Sequence, residues 1–556
     1  MSRYLTSPAK IISMNVISFL FRGSYKNVIF TALLSVLAAA IYIQAIKRFK
    51  ELLSLSVDNA IDSFLIMSTF FIGAAILSVF ANHQVSKHFE FKISKERVKF
   101  SSLVLQADFS RIEAKQQRII PILYNDTITL GVFAKTLPEF IVSLCTVISI
   151  WVYMFTISWQ FTLGFIGIFG LTSLIILFSQ SFLYYEERKA VKERNFLYDR
   201  LNGLVNGIKE LTLNLKHKSI YAKELVGSIS EQYAQTSINR NRILITVNKS
   251  SEAFILIALG LMVVLSQRYS GTDSSTFTEF FVLVTFSLPA VIRVGMFFSN
   301  LKKAEVAYEQ LSTLTDVLGE DRVRKISDSN QLAPQEKEGN IIEIKDAVYQ
   351  YSSSAGDNFS VGPFNLNVVR NEVLLINGGN GSGKTTFMKL LTGLYSPKSG
   401  KIIYSGNEVT AATLPYYRDQ FSAVFVDSFV FDDLRYIDQK NINELSDGFL
   451  SLLEIQSKVE MQEGVKLSTT NLSFGQRSRL NLYRALLEDK DIYVFDEWAA
   501  NQDPYFKDKF YREILPSLKE RGKTVILISH DDKYYDVADR IVRMRYGKIE
   551  SVTQNH

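Results

Sequence analysis

The chain has 556 residues, too many for one ordinary domain, with 47% apolar residues, 21% charged residues and a formal charge of +6. That charge is modest for the length, and no Lys/Arg block is dense, which argues against nucleic acid as a partner. A single cysteine, Cys145, and five scattered histidines exclude an intrachain disulfide and a Cys/His metal cluster.

Residues 1–26 carry Arg3, Lys10, Arg22 and Lys26 around a short mixed run over 11–21. This pattern predicts an amphipathic helix lying at a membrane surface. Six apolar segments follow, roughly 27–46, 61–81, 137–157, 160–182, 248–267 and 277–298. Each is close to the ~20 residues needed to cross ~30 Å of hydrocarbon. The first is too long for a signal-peptide core. A six-helix membrane domain is therefore expected over 27–315.

The long connections 82–136 and 183–247 are rich in Lys and Arg, among them Lys87, Lys92, Lys95, Arg188, Lys189 and Arg194. The connections at 158–159 and 268–276 carry almost none, so the long loops and both ends of the chain are expected in the cytoplasm. Lys47, Arg48 and Lys50 run against that rule. The long loops mix apolar and charged residues with little Pro or Gly, which predicts helices continuing out of the bilayer and back. Their turning points are expected near Gln116–Tyr124 and Leu204–Leu213. Glu139, Glu252, Glu279 and Arg293 stand in or near spans and are functional candidates on that ground. Pro289 marks a candidate kink. The polar stretch 316–340 reads as a linker.

Residues 341–556 read as a soluble α/β domain. A strand opens at Ile341, and Tyr349 and Tyr351 near its end are alternative rings for stacking on adenine. The run Gly378-Gly379-Asn380-Gly381-Ser382-Gly383-Lys384-Thr385-Thr386 has the form G-x-x-x-x-G-K-T between an apolar strand, 372–377, and a helix. In that setting backbone N–H groups and the helix dipole face phosphate oxygens. Lys384 is expected on the β- and γ-phosphates of ATP, and the Thr385 hydroxyl on Mg²⁺.

Phe421–Asp427 predicts a strand running into a loop. Leu472-Ser473-Phe474-Gly475-Gln476 opens a helix over Arg477–Glu488 and offers a second anion site, through a hydroxyl, N–H groups and a dipole. Ile492–Phe495 predicts a buried strand that ends in adjacent carboxylates. Asp496 is expected on Mg²⁺, and Glu497 orients or deprotonates the attacking water. Thr524–Ser529 predicts a strand ending at His530, which can reach the γ-phosphate.

Taken together, these motifs resemble those of an ABC transporter, with a nucleotide-binding domain after an exporter-type six-helix membrane domain. The resemblance covers nearly the whole chain. It implies an ATPase whose adenine stacks on Tyr351, whose phosphates lie on Gly378–Thr386, and whose switch histidine is His530. It also implies a signature motif at Leu472–Gln476 (LSFGQ rather than LSGGQ) with Ser473, Gly475 and Gln476 facing phosphate, and a D-loop ending at Asp503. Signature and P-loop of one site then come from two chains, so a homodimer is expected, coupled through the loop turning points. Val426 stands where the family has its Q-loop glutamine; either Asp427 or an ordered water substitutes, or coupling to the membrane half differs. The D-loop is Ala500-Asn501-Gln502-Asp503. These departures resemble the bacterial cyclic-peptide and siderophore exporters, similar to those for pyoverdine-type precursors and syringomycin-type lipopeptides. Export of a peptide-like molecule across the bacterial inner membrane is therefore expected. Export of lipid or a linear peptide, and an ATP-gated regulator that transports nothing, are the alternatives.

Overall fold

The computed structural model describes residues 16, 18–19, 25–54, 57–113, 115–269, 274–318, 339–351 and 359–555. Most of the expected interfacial helix and most of the expected linker lie outside them. Two compact units are present. One comprises Met1–Ala107 with Arg111–Asp321, the other Asp108–Ser110 with Arg322–His556.

The first unit is helical. Among the described residues its long helices are Tyr25–Ser54, Val57–Gln106, Thr127–Ile157, Trp159–Asn206, Ser228–Tyr269 and Ser274–Leu318. A 50-residue helix such as Val57–Gln106 is ~75 Å long, more than twice the ~30 Å hydrocarbon core, so much of it stands in water. Four stretches among the described residues are long and apolar enough to cross a membrane: Ile29–Phe49, Ala60–Gln106, Arg118–Ile157 and Phe280–Leu318. The expected spans 160–182 and 248–267 fall in Trp159–Asn206 and Ser228–Tyr269, where many side chains lie outside the described residues.

Thr127–Ile157 and Ser274–Leu318 pack against each other through Phe133, Phe140 and Phe297; the Phe140 and Phe297 rings stack at 4.0 Å. Partly buried ion pairs follow in the same unit, including Asp126 with Arg194 at 3.2 Å and Glu187 with Arg240 at 3.3 Å. Of the four groups Asp126 is the one fully buried.

The first turning point lies earlier than expected. The helix ends at Gln106, a short helix spans Phe109–Glu113, and the chain is helical again from Gln116. The expected turn at Gln116–Tyr124 is helix instead. Pro121, which lacks an N–H, is absorbed by a wider π-helical turn over Ile122–Asp126. The second reversal lies between Asn206 and Leu215, around Gly207 and Asn214, where 204–213 was expected.

The second unit is built on a six-stranded sheet. Its order is Lys548–Gln554, Arg540–Arg545, Val373–Asn377, Thr524–Ile528, Ile492–Asp496, Phe421–Val424, parallel apart from the first edge strand. The central strands are apolar at nearly every position because both faces are covered. Val373, Leu375, Tyr493, Phe495, Val525 and Leu527 enter one core. Leu374, Ile376, Ile492, Val494, Ile526 and Ile528 enter the other. An antiparallel sheet of Ser360–Val369, Asn340–Gln350, Ser399–Tyr404 and Asn407–Glu408 completes the unit. In register, Ile528 pairs with both Ile376 and Asp496. The carboxyl ends of three parallel strands are thus level, and ligands of open α/β sheets bind at such an edge.

Candidate functional site: an ATP site at the strand ends

Strand Val373–Asn377 delivers the P-loop, and helix Lys384–Leu391 leaves it. Gly378, Gly381 and Gly383 hold positive φ angles of 153°, 76° and 96°. At Gly378 a side chain is also excluded by space, since a Cβ would strike the Met544 carbonyl and stand 2.7 Å from Ser382 Oγ. Lys384 is 6% exposed, and its Nζ donates to the carbonyls of Gly378 at 2.9 Å and Gly379 at 3.2 Å. Nζ also stands 4.0 Å from Glu497 Oε1. The ammonium is thus curled over the loop it is expected to serve.

Asp496 ends its strand beside Thr385, whose hydroxyl donates to it. Burial pushes the Asp496 carboxyl up to about 6, the neighbouring Glu497 carboxylate adds to the rise, and Thr385 and Lys384 oppose it. Glu497 follows in a left-handed conformation at φ 50°, strained for a residue with a Cβ. That turn aims its carboxylate at His530, with Oε1 3.2 Å from Nε2. Glu497, His530 and Lys384 therefore meet at one edge of the sheet, together with Asp496 and Thr385.

Tyr351 and Tyr349 are distinguished by packing. Tyr349 stacks flat on Tyr395 at 4.2 Å and 9°. Tyr351 stands at right angles to both, and its hydroxyl is 2.7 Å from Thr386 Oγ1. Asn377–Ser382, including Asn380, line a cleft of 620 Å³ with His530, Tyr535, Arg543 and Arg545. Within it Ser382 Oγ and Asn377 Oδ1 are buried without hydrogen-bond partners. Buried polar atoms normally find partners, so these two, the curled lysine and the side-chain-free cradle at Gly378 fit a polyphosphate. Thr385 and the elevated Asp496 fit a divalent cation, whose charge would favour the ionised carboxylate.

The signature residues are held elsewhere. Ser473 caps the helix Phe474–Glu488 in a capping box with Gln476, so that helix begins three residues earlier than expected. Ser473, Gly475 and Gln476 are not among the residues lining the P-loop cleft. Phe474 is exposed and lines a separate cleft with Val426, Asp427, Arg477, Glu497 and Trp498. Asp427 also contributes to the negative potential at Asp496.

Two side chains to which motif reading gives no role, Gln502 and Arg479, tie the 472–476 motif to the loop at 500–503. Gln502, 7% exposed, donates from Nε2 to the Gly475 carbonyl at 3.2 Å and accepts from Arg479 Nε at 3.0 Å. Arg479 donates to Asp503 at 2.6 Å and lies over the Phe506 ring at 3.8 Å. Asp503 in turn caps the helix Pro504–Lys509 through Phe506 N.

A family model described as ABC transporter matches residues 361–500. The energy-coupling factor transporter ATP-binding protein EcfA1 of Streptococcus sanguinis is 31% identical over 222 residues, 38% of this chain and 78% of that protein. The chain belongs to the ABC transporter family. It is a multi-pass membrane ABC transporter in which a helical membrane domain is fused to an ATP-binding, ATP-hydrolysing domain. ATP-binding protein SyrD of Pseudomonas syringae pv. syringae is 28% identical to the transporter over 492 residues, 86% of this chain and 85% of that one. A bacterial Atm1-family ABC exporter solved with ATP bound has the same fold, with a TM-score of 0.72 over 96% of each chain at 16% identity.

Proposed function

We propose that the transporter is a homodimer that uses ATP to export a peptide-like small molecule, a cyclic peptide, lipopeptide or peptide siderophore or its precursor, across the bacterial inner membrane. The observation that carries the dimer is the separation of Ser473 and Gly475 from the P-loop cleft within one chain. Each chain has one of each half-site, and two-fold symmetry joins both pairs at once. The substrate class is supported by the substituted motifs, with Phe474 and Val426 on one cleft and Gln502 on the D-loop. A relative aligned along both halves of the chain adds support for the fused exporter arrangement.

In this reading adenine stacks on Tyr351, and the phosphates lie on Gly378, Asn380, Gly381, Ser382, Gly383, Lys384 and Thr386. Thr385 and Asp496 would hold Mg²⁺, which supplies neutralising charge on the phosphate oxygens. Ser473, Gly475 and Gln476 of the second copy close over the γ-phosphate, with Asp503 fixing the D-loop behind them. Glu497 accepts a proton from the water that attacks the γ-phosphorus, and the bond to the β-phosphate oxygen breaks. His530, 3.2 Å from Glu497, holds that carboxylate and the γ-phosphoryl group being transferred in place. ATP thus shifts the equilibrium through its higher affinity for the closed dimer, and hydrolysis reverses it.

The test is uptake of cyclic peptides into inside-out proteoliposomes with ATP, wild type against Glu497→Gln. Uptake and ATP turnover by the wild type alone are expected. Equal ATP turnover by the variant contradicts the role of Glu497. Turnover without uptake of any peptide, but with lipid translocation, favours the lipid alternative.

A further inference from the structure

Arg293 lies in the helix Ser274–Leu318, five residues before the inner end of the expected span 277–298, or ~7 Å inside the membrane. That span runs from outside to inside. Side chains on a helix lean toward its N-terminus, here the outer side, so Arg293 leans away from the cytoplasmic surface. The contact agrees: Arg293 Nε donates to Ser143 Oγ at 2.9 Å. Ser143 is 1% exposed and six residues, ~9 Å, into its own span. The guanidinium therefore does not snorkel to the inner surface.

Its partner is a neutral hydroxyl, and among the described residues Arg293 forms no ion pair. Glu139, one turn from Ser143 toward the inner end, is exposed and forms none with it. Aromatic rings bracket the position. Phe297 stacks on Phe140 one turn inward, and Phe286 meets Phe71 at 6.2 Å and Tyr42 at 6.5 Å about two turns outward. Arg293 itself is exposed, beside a stripe of exposed residues at helical spacing: Phe281, Thr285, Pro289, Ile292 and Met296. A guanidinium presented to lipid at this depth is costly, and such residues face a cavity or a partner instead.

We propose that Arg293 lines the cavity enclosed by the two copies and binds a carboxylate of the exported molecule. The proposal rests on the homodimeric peptide-exporter reading above and narrows its substrate class to acidic peptides. With Nε held by Ser143, both terminal amino groups remain for the two oxygens of a carboxylate. The aromatic surroundings lower the local polarity and strengthen that contact.

The experiment uses the full-length protein in nanodiscs and one cyclic lipopeptide with a single carboxylate, against its methyl ester. Binding is measured for wild type, Arg293→Gln, Arg293→Lys and Ser143→Ala. The wild type is expected to prefer the acid about tenfold, and Arg293→Gln to lose that preference while keeping the ester affinity. Arg293→Lys should keep part of the preference. Ser143→Ala should keep it fully, which separates anion binding from the helix contact. Equal binding of acid and ester by wild type, or an unchanged preference in Arg293→Gln, overturns the role of Arg293 alone. Binding of neither overturns the peptide reading with it.

Discussion

Asp496→Asn is expected to make the nucleotide-free transporter more stable while it removes ATP turnover. The Asp496 carboxyl is buried and is pushed from an ordinary 3.8 up to about 6. Keeping it ionised in the folded protein at neutral pH therefore costs on the order of 3 kcal/mol, at ~1.4 kcal/mol per pH unit. The sign follows from the direction of the shift. An acid raised by folding favours the folded state below its ordinary value, and that stability is lost as pH rises through about 6. Asparagine keeps the shape, still accepts from Thr385, and has no charge to desolvate. In a domain of this size ~3 kcal/mol corresponds to a rise of roughly 6–12 °C in the unfolding midpoint.

The assay is thermal unfolding of the full-length protein without Mg²⁺ or ATP, followed by tryptophan fluorescence in a Trp151→Phe, Trp159→Phe background so that Trp498 alone reports. The variant should unfold later at about pH 7.5, and the difference should shrink to about a third near pH 4.5 and vanish only below the ordinary 3.8. With Mg-ATP the order should reverse, because only wild type gains from the bound cation. A variant less stable than wild type at pH 7.5, or an offset independent of pH, would refute the reasoning.

Two further outcomes follow from the same site. Gln502→Leu removes the hydrogen bond to the Gly475 carbonyl, worth ~1 kcal/mol, and should raise the ATP concentration for half-maximal turnover about fivefold. Binding of a fluorescent ATP analogue to the P-loop of single chains should be unchanged, and a parallel loss there would show a general defect instead. Tyr351→Ala should weaken analogue binding by about fivefold through lost ring stacking, whereas Tyr349→Ala should lower the unfolding temperature through Tyr395 and leave affinity nearly intact. The opposite pattern would move adenine to Tyr349.

Much of the ATPase unit is legible in order along the chain because its proposed catalytic groups stand at strand ends. Apolar runs at 372–377, 492–496 and 524–529 announce buried parallel strands, and the polar residue that ends each falls on the level edge. The lateral links are less visible. Gln502 and Gly475 are 27 residues apart, and only folding shows that the D-loop glutamine holds the signature carbonyl through space. Tyr349 is likewise told apart from Tyr351 only by its stacking on Tyr395, a ring outside either motif. In the helical unit the apolar runs mark helices, but the turn comes before Gln116, and the expected turn around Pro121 is helix that continues through a π-helical turn. Arg293 is visible as a charge in a span, while its exposure and its bond to Ser143 depend on how two helices pack.

The central claim, that each ATP site is completed by a second copy, is tested by mixing two inactive chains. Lys384→Ala disables the P-loop, and Gly475→Asp sets a carboxylate against phosphate in the signature. Each alone should be inactive. Co-assembled in equal amounts, half of the dimers are mixed, and each mixed dimer holds one site with both halves intact. ATP turnover should return to about one quarter of wild type. Turnover that stays at zero on mixing, with co-assembly verified by two affinity tags, would contradict the composite site and the homodimer together.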